Sequence, residues 1–423
     1  MARDRRSAAL HLLWRQLADG QPDLRCAHPQ RGLQPPRRHG HPLLGRARRG
    51  RRLRVAFAGG GTGGHVYPAL ALAQALQERD PSTEIRFFGM GDGIEARLAA
   101  AAGYSFEAVP GAPLERKLSL RTLRTAAVNL AALAVAFAKL ASFKPQVLVA
   151  TGGYVSLPVI WAAWLQRPLR HTRIALLEPN AMPGLTNRLA APLADEVWGA
   201  YADAARVFGE KFQLTGVPVR PDVRRLRPKD VARKALGLDP VRPTLLAIGG
   251  SQGARKINQA LASLVTRRSL DGWQVIHVTG ARDYEWMQAE EHDLAPGNSV
   301  ALLPYLDDMA LGYAAADLVV ARAGASTLAE LAATGTASIL VPYPFASEHH
   351  QARNAEVFTR AGAAVTIADN EVDGDRLWWT LVELRAPGKL EAMRAAARGL
   401  ARDDAEQALV ERLLKGSALP EEV

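Results

Sequence analysis

His65 directly follows the run Gly59-Gly60-Gly61-Thr62-Gly63-Gly64, set between an apolar stretch (residues 53–58) and a helix-forming one rich in alanine and leucine (residues 69–76). Glycines at a strand-to-helix turn let backbone N–H groups close on an oxyanion, and the helix start favours negative charge. An imidazole beside such a turn is suited to take or give a proton near neutral pH. A second turn, Gly249-Gly250-Ser251-Gln252-Gly253-Ala254-Arg255, follows the apolar run 244–248. Two further apolar runs end in Thr151-Gly152-Gly153-Tyr154 and in Glu178-Pro179-Asn180. The chemistry these residues suit is holding a phosphate or pyrophosphate, with His65 or Glu178 as the proton acceptor. The glycine spacing also fits a dinucleotide fingerprint, which wants an acidic residue about 20 positions on. Here the second apolar run ends in Gly89-Met90-Gly91, and Asp92 comes late. No Gly-Lys-Ser/Thr ending supports a P-loop, and a purely structural glycine turn is the plain alternative.

Positioning such turns takes parallel strands, whose carboxyl ends gather ligands in open α/β sheets. Short buried runs (residues 53–58, 84–88, 105–109, 147–150 and 173–177) alternate with helical stretches, and the plan repeats at 244–248, 274–278, 300–303, 318–321 and 338–341. This alternation predicts two doubly wound α/β domains facing across a cleft. The Pro- and Gly-rich stretch 215–221 and the charged, helix-free 224–230 mark the boundary. The expected division is a disordered basic extension over 1–52, a first domain over 53–220 joined by a C-terminal helix at about 402–423, and a second domain over 221–401. One long helix is expected over 119–144, with Arg116, Lys117, Arg121 and Arg124 near its start and an apolar middle, too short and interrupted to span a bilayer. It reads either as a core helix packed on the sheet or as a face that dips into a membrane surface, with Trp161 and Trp164 nearby, and both hold if one end of the helix is exposed.

The charge balance looks like that of a nucleic-acid binder until it is located. Of the 53 Lys and Arg, 14 Arg lie in residues 1–54 against 3 Asp, which equals the whole net charge of +11. The remainder is balanced, so no nucleic-acid partner is expected. The tail is too polar to offset its ordering entropy, and reads either as a basic arm for an anionic membrane or as sequence upstream of the true start. The single cysteine, Cys26, lies in that tail, so no disulfide framework is expected and the compartment reads as cytoplasmic. The Asp373-Gly374-Asp375 pair reads as a solvated loop and not as a cation site.

Taken together, the motifs resemble the MurG family of bacterial glycosyltransferases. The resemblance runs in order from residue 53 to the C-terminus, through Gly-Gly-Thr-Gly-Gly-His, 152–156, 180–187, 216–220, Gly-Gly-Ser-Gln-Gly-Ala-Arg, 307–309, 322–327 and 350–355. It implies a GT-B fold of two Rossmann-like domains and inverting transfer of N-acetylglucosamine from UDP-N-acetylglucosamine to the 4-hydroxyl of the muramyl sugar of lipid I. The product would be lipid II for peptidoglycan, made with no metal and no cofactor. Carried over by position, Thr62, Gly63, Gly64, Asn180, Arg220, Ser251, Leu306, Gly324, Ala325, Ser326, Thr327, Leu328, Glu330 and His350 or Gln351 would meet the donor. Gly152, Gly153 and Tyr154 would receive the acceptor. The implied partners are UDP-N-acetylglucosamine, lipid I, an anionic membrane surface and cell-division or elongation machinery, with a peripheral place on the cytoplasmic face of the inner membrane. One departure stands out: the family's usual His-Glu-Gln-Asn reads Leu177-Glu178-Pro179-Asn180 here. A dinucleotide oxidoreductase and a non-catalytic membrane scaffold remain the competing classes.

Overall fold

Near-continuous apolar strands can be buried on both faces only if helices cover both faces of the sheet, and both sheets are built this way. The structure, a computed structural model, describes residues 52–112, 120–250, 253–290, 293–346 and 349–415. Most of the basic extension, Arg116, Lys117, Ser251 and the end of the expected C-terminal helix therefore lie outside the described residues.

The first half runs β1 (Arg54–Gly59), α1 (Gly63–Arg79), β2 (Glu84–Gly89), α2 (Ile94–Ala101), β3 (Ser105–Ala108), α3 (Leu120–Phe143), β4 (Val147–Gly152), α4 (Ser156–Leu165), β5 (Arg173–Glu178), α5 (Leu185–Ala190), β6 (Glu196–Gly199), α6 (Ala205–Phe208) and β7 (Phe212–Leu214). Among the described residues these strands make one seven-stranded parallel sheet in the order β3-β2-β1-β4-β5-β6-β7. The second half runs α7 (Pro221–Arg224), α8 (Lys229–Ala235), β8 (Thr244–Ile248), α9 (Arg255–Arg267), β9 (Gln274–Val278), α10 (Ala281–Glu290), β10 (Val300–Leu303), α11 (Met309–Ala315), β11 (Leu318–Ala321), α12 (Ala325–Thr334), β12 (Ala337–Leu340), α13 (His350–Arg360), β13 (Ala364–Thr366), α14 (Gly374–Leu384), α15 (Lys389–Gly399) and α16 (Ala405–Lys415). Its six parallel strands follow the order β10-β9-β8-β11-β12-β13.

Side-chain alternation sends each strand's residues to two cores. In β1, Val55 and Phe57 enter the core shared with α1, while Ala56 and Ala58 enter the one shared with α3 and α4. In β8, Leu245 and Ala247 face one side and Leu246 and Ile248 the other. In each sheet the winding reverses beside its first strand, between β1 and β4 and between β8 and β11. That reversal opens a crevice at the strands' carboxyl ends, so both crevices fall on the predicted glycine turns.

The last helix returns to the first half. Leu409, Val410 and Leu413 of α16 are buried in the core of β1 and α1. Glu406 at its start accepts the Val219 N–H and pairs with Arg224. The outgoing and returning crossovers are thereby tied together.

Three sequence expectations change. The segment read as helix-free is helical at both ends, where Pro221 opens α7 and Lys229 opens α8; proline fits a first helical turn, whose N–H is unpaired in any case. Asp373 sits not in an open loop but at the N-cap of a helix. It caps α14 by accepting the Arg376 N–H (2.7 Å), and Asp375 pairs with Arg268 (2.7 Å). Finally, α3 is not too short: 19 of its residues, Thr125–Phe143, are long and apolar enough by length and composition to cross a membrane. One stripe of it, Ala132, Ala136, Leu140 and Phe143, is nevertheless buried in the core against the sheet.

Candidate active site at the facing glycine turns

The first turn puts a helix start and a base side by side. Thr62, extended and exposed, precedes α1 and makes no side-chain cap, so the N–H groups at Gly63 and Gly64 stay available. His65, one residue further, is half-buried, and its Nδ1 lies 2.6 Å from the Thr151 carbonyl oxygen. A carbonyl only accepts, so Nδ1 carries the proton and Nε2 keeps its lone pair. Burial pushes the imidazole below its ordinary value of 6.5; Glu178 and then Glu95 pull it back up, while His350 opposes them. Its neutral, proton-accepting form is therefore favoured.

The β4 turn fits against it through two glycines. Gly152 has φ 98°, and a Cβ there would stand 2.9 Å from His65 Cε1. Gly153 has φ 82°, and a Cβ there would stand 2.3 Å from the Gly60 carbonyl oxygen. Both a left-handed backbone and close approach thus call for glycine. Tyr154 lines the same turn, its phenol raised by burial and by Glu95 and Asp92.

Glu178 departs from expectation. It is 1% exposed. One oxygen accepts Asn180 N–H and Asn180 Nδ2 (3.0 Å each), and the other accepts Gly184 N–H (2.9 Å) and Asn187 Nδ2 (3.0 Å). Four donors saturate its in-plane lone pairs, so it is placed to shape the Asn180 loop and not to receive a proton.

Opposite stands the second half. Gly324 precedes α12, and the Leu328 N–H bonds back to the Gly324 carbonyl (2.9 Å), leaving the Ala325, Ser326 and Thr327 N–H groups at the helix start. Leu328 itself is fully buried in the core. Its backbone N–H and side chain are both committed, which removes it from the expected phosphate contacts. Leu306 also packs its side chain on this core, leaving only its backbone for a ligand. Ser326 Oγ reaches the Gly64 carbonyl across the cleft (3.4 Å), so the two helix starts touch.

Arg220 and Glu330 are engaged with each other: Glu330 Oε1 accepts Arg220 Nε (3.2 Å) and Nη2 (2.9 Å), and Oε2 accepts the Tyr313 hydroxyl (2.8 Å). Burial raises the Glu330 carboxyl, and Arg220 works against that rise. The Arg220 guanidinium also lies over Tyr67 (5.2 Å), whose hydroxyl meets that of Tyr305 (3.3 Å). At the start of α13, His350 Nδ1 donates to the Met182 carbonyl (2.7 Å), and Gln351 Oε1 accepts the Tyr343 N–H (2.8 Å). Buried Asn354 accepts the Ala181 N–H (2.9 Å) and donates to Asn180 Oδ1 (3.1 Å). The structure joins the first turn to the start of α12 through Gly64 and Ser326, and the Asn180 loop to α13 through Asn354 and His350, while Leu328, Glu178 and Glu330 are buried.

Comparison with known proteins decides the family. Residues 55–198 match the glycosyltransferase family 28 N-terminal domain, and residues 244–409 match the family 28 C-terminal domain. A Moorella thermoacetica protein named UDP-N-acetylglucosamine–N-acetylmuramyl-(pentapeptide) pyrophosphoryl-undecaprenol N-acetylglucosamine transferase is 41% identical, over 86% of this chain and 99% of its own. The chain belongs to glycosyltransferase family 28. A Desulforudis audaxviator protein of the same name is 39% identical, over 86% of this chain and 98% of its own. The crystal structure of Acinetobacter baumannii MurG matches with a TM-score of 0.66 at 27% identity, covering 86% of this chain and 99% of that one. This family 28 enzyme is thus a glycosyltransferase of two parallel-sheet α/β domains with the GT-B fold.

Two groups of the family 28 site escaped the sequence reading. Asn354 lies in the 350–355 motif, where the resemblance implies no role for it, yet it joins both domains. Glu95 stands outside the sequence motifs, although Gly93-Ile94-Glu95 follows β2 closely. It accepts backbone N–H groups from below the first turn, so it is not the free ribose acceptor that a dinucleotide enzyme needs.

Proposed function

We propose that this family 28 enzyme transfers N-acetylglucosamine from UDP-N-acetylglucosamine to the 4-hydroxyl of the muramyl sugar of lipid I, with inversion and without a metal, giving lipid II. The acceptor hydroxyl attacks C1 of the donor sugar. Its proton passes to His65 Nε2 as the C1–O bond to UDP breaks, and the bonding pair leaves on the diphosphate. A single displacement inverts the anomeric centre. The departing charge meets the N–H groups at the start of α12 and Arg220, released from Glu330 as Glu330 turns to the ribose hydroxyls. Asn180 and His350 or Gln351 hold the sugar, Gly63 and Gly64 face it from the first domain, and Gly152, Gly153 and Tyr154 receive the acceptor diphosphate. Ser251 belongs to the donor set by its motif.

The observation that carries this reading is the imidazole of His65, proton fixed on Nδ1 by Thr151 and lone pair free, beside two touching helix starts. The relatives' names supply the donor and acceptor. A lipid-linked acceptor requires a membrane-facing surface. The outer face of α3 is bare of charge at Ala126, Ala127, Leu130, Ala131 and Ala134, and Trp161, Trp164 and Leu169 are exposed at and after α4. That apolar face supports peripheral contact with a membrane surface; the anionic lipid and the cytoplasmic side enter the proposal with the lipid-linked acceptor. The test is transfer of radiolabel from UDP-N-acetylglucosamine to a short-chain lipid I analogue with EDTA present. Undiminished transfer is expected; loss of transfer in EDTA, restored by a divalent cation, contradicts the metal-free step.

A further inference from the structure

Beneath the first glycine turn lies a carboxylate that the transfer step does not use. Glu95, on the first turn of α2, is 1% exposed. Its Oε1 accepts the Met90 N–H (2.9 Å) and its Oε2 the Gly61 N–H (3.3 Å), so one side chain joins the loop after β2 to the loop after β1. The packing around it is close. A Cβ on Gly60 would stand 2.1 Å from Oε1, and a Cβ on Gly93 would stand 2.4 Å from Oε2. Among the described residues no Lys or Arg pairs with this carboxylate. Burying a carboxylate is costly unless hydrogen bonds or an ion pair offset it, and here the recorded partners are backbone N–H groups of the two loops.

We infer that Glu95 is a positioning residue of the transferase: it holds the Gly60–Thr62 turn in its oxyanion-facing shape, and its charge supports the imidazolium that His65 becomes on taking the acceptor proton. This inference rests on the transferase reading for its catalytic part. Glu95 reaches His65 through the turn it holds, by way of the Gly61 N–H; of the charged groups that act on the imidazole, Glu178 is the strongest, His350 opposes it, and Glu95 is the weakest. Glu178 and Glu95 both favour the charged imidazole, and His350 disfavours it. Neither carboxylate is hydrogen-bonded to the ring, whose Nδ1 is taken by Thr151. The charge therefore acts through space, unlike a directly bonded carboxylate–histidine pair.

Two variants separate grip from charge. Glu95→Gln keeps the reach but loses the charge, and turns one acceptor into a donor facing an N–H. Glu95→Asp keeps the charge but is one methylene short. In the full chain, Glu95→Gln is expected to lower kcat about tenfold with donor KM within about threefold. It should move the acid limb of kcat/KM to lower pH, because a nearby negative charge favours imidazolium. Glu95→Asp should leave the limb in place and lose less of kcat. The His65 imidazole nitrogens, titrated by NMR without substrate and assigned with His65→Ala, should show the same displacement in Glu95→Gln. If wild-type protein transfers no sugar, the transferase reading fails, and this titration still decides whether Glu95 acts on His65. A Glu95→Gln protein with unmoved His65 titration and unmoved acid limb overturns the inference, even if its thermal stability falls.

Discussion

The two halves share a winding order, yet each puts one histidine to a different use. His65 sits at the mouth of the first crevice, half-buried, with Nδ1 fixed by Thr151 and, among the described residues, no hydrogen bond at Nε2. His277, in the second strand of the second sheet, is 1% exposed, and its Nε2 is bonded to Asn258 Oδ1 (2.9 Å). Asn258 in turn donates to the Thr279 carbonyl and to Asp283, both at 2.9 Å. Burial drives the His277 imidazole down to about 3. Residue type alone therefore says little about function in this molecule. What matters is whether a nitrogen remains open to the cleft, and the strand-end glycines decide that by bringing Thr151 and Gly152 against the ring of His65.

Substitution of the two histidines sharpens the contrast most. His65→Ala is expected to lower kcat by about 100-fold or more, the usual worth of a general base, with UDP affinity by calorimetry within about threefold. Equal losses in kcat and UDP affinity would break the comparison. His277→Ala should leave kcat per folded molecule near wild type while costing about 2–4 kcal/mol in chemical denaturation, from a cavity and an unpaired Asn258 oxygen.

Acid titration of stability comes next. An unfolded histidine binds its proton near pH 6.5, whereas folded His277 does so near 3, so the unfolded chain gains protons first. Its contribution is full above about pH 6.5 and is lost as pH falls toward 3. His277→Gln should flatten that slope in urea melts at pH 4 to 7; an unchanged slope would assign it elsewhere.

Smaller effects probe the other groups. Glu330→Gln, which weakens the hold on Arg220 and the proposed ribose contact, should lower UDP affinity about tenfold. Leu130→Asp should reduce binding to vesicles containing anionic lipid several-fold without altering UDP affinity, if the bare face of α3 meets the membrane.

The strand ends and their glycines were legible because parallel strands and tight turns are written locally, in apolar runs of fixed length and in residues free to take positive φ. The mutual arrangement of Gly152 and His65 could be expected only in outline, since β4 reaches β1 through the fold and not through the chain. Glu178 illustrates the limit. Its place at a strand end looked suited to proton transfer, but its four donors come from residues 180–187, which curl back over it. Leu328 shows the same: a motif position beside Thr327 turns inward because the helix has completed its first turn there. Glu95 carried a faint local signal, an acid two residues past Gly93 and close after β2, whereas Asp373 carried a misleading one that helix capping explains.

The most direct measurement is the pH dependence of single-turnover transfer in EDTA, for wild type and His65→Ala, at saturating UDP-N-acetylglucosamine and lipid I analogue. The account predicts a wild-type rate that rises through one ionisation below pH 6.5, indifferent to EDTA, and a variant at least about 100-fold slower that has lost this limb. A His65→Ala protein that keeps the same limb within a few-fold of the wild-type rate would contradict it.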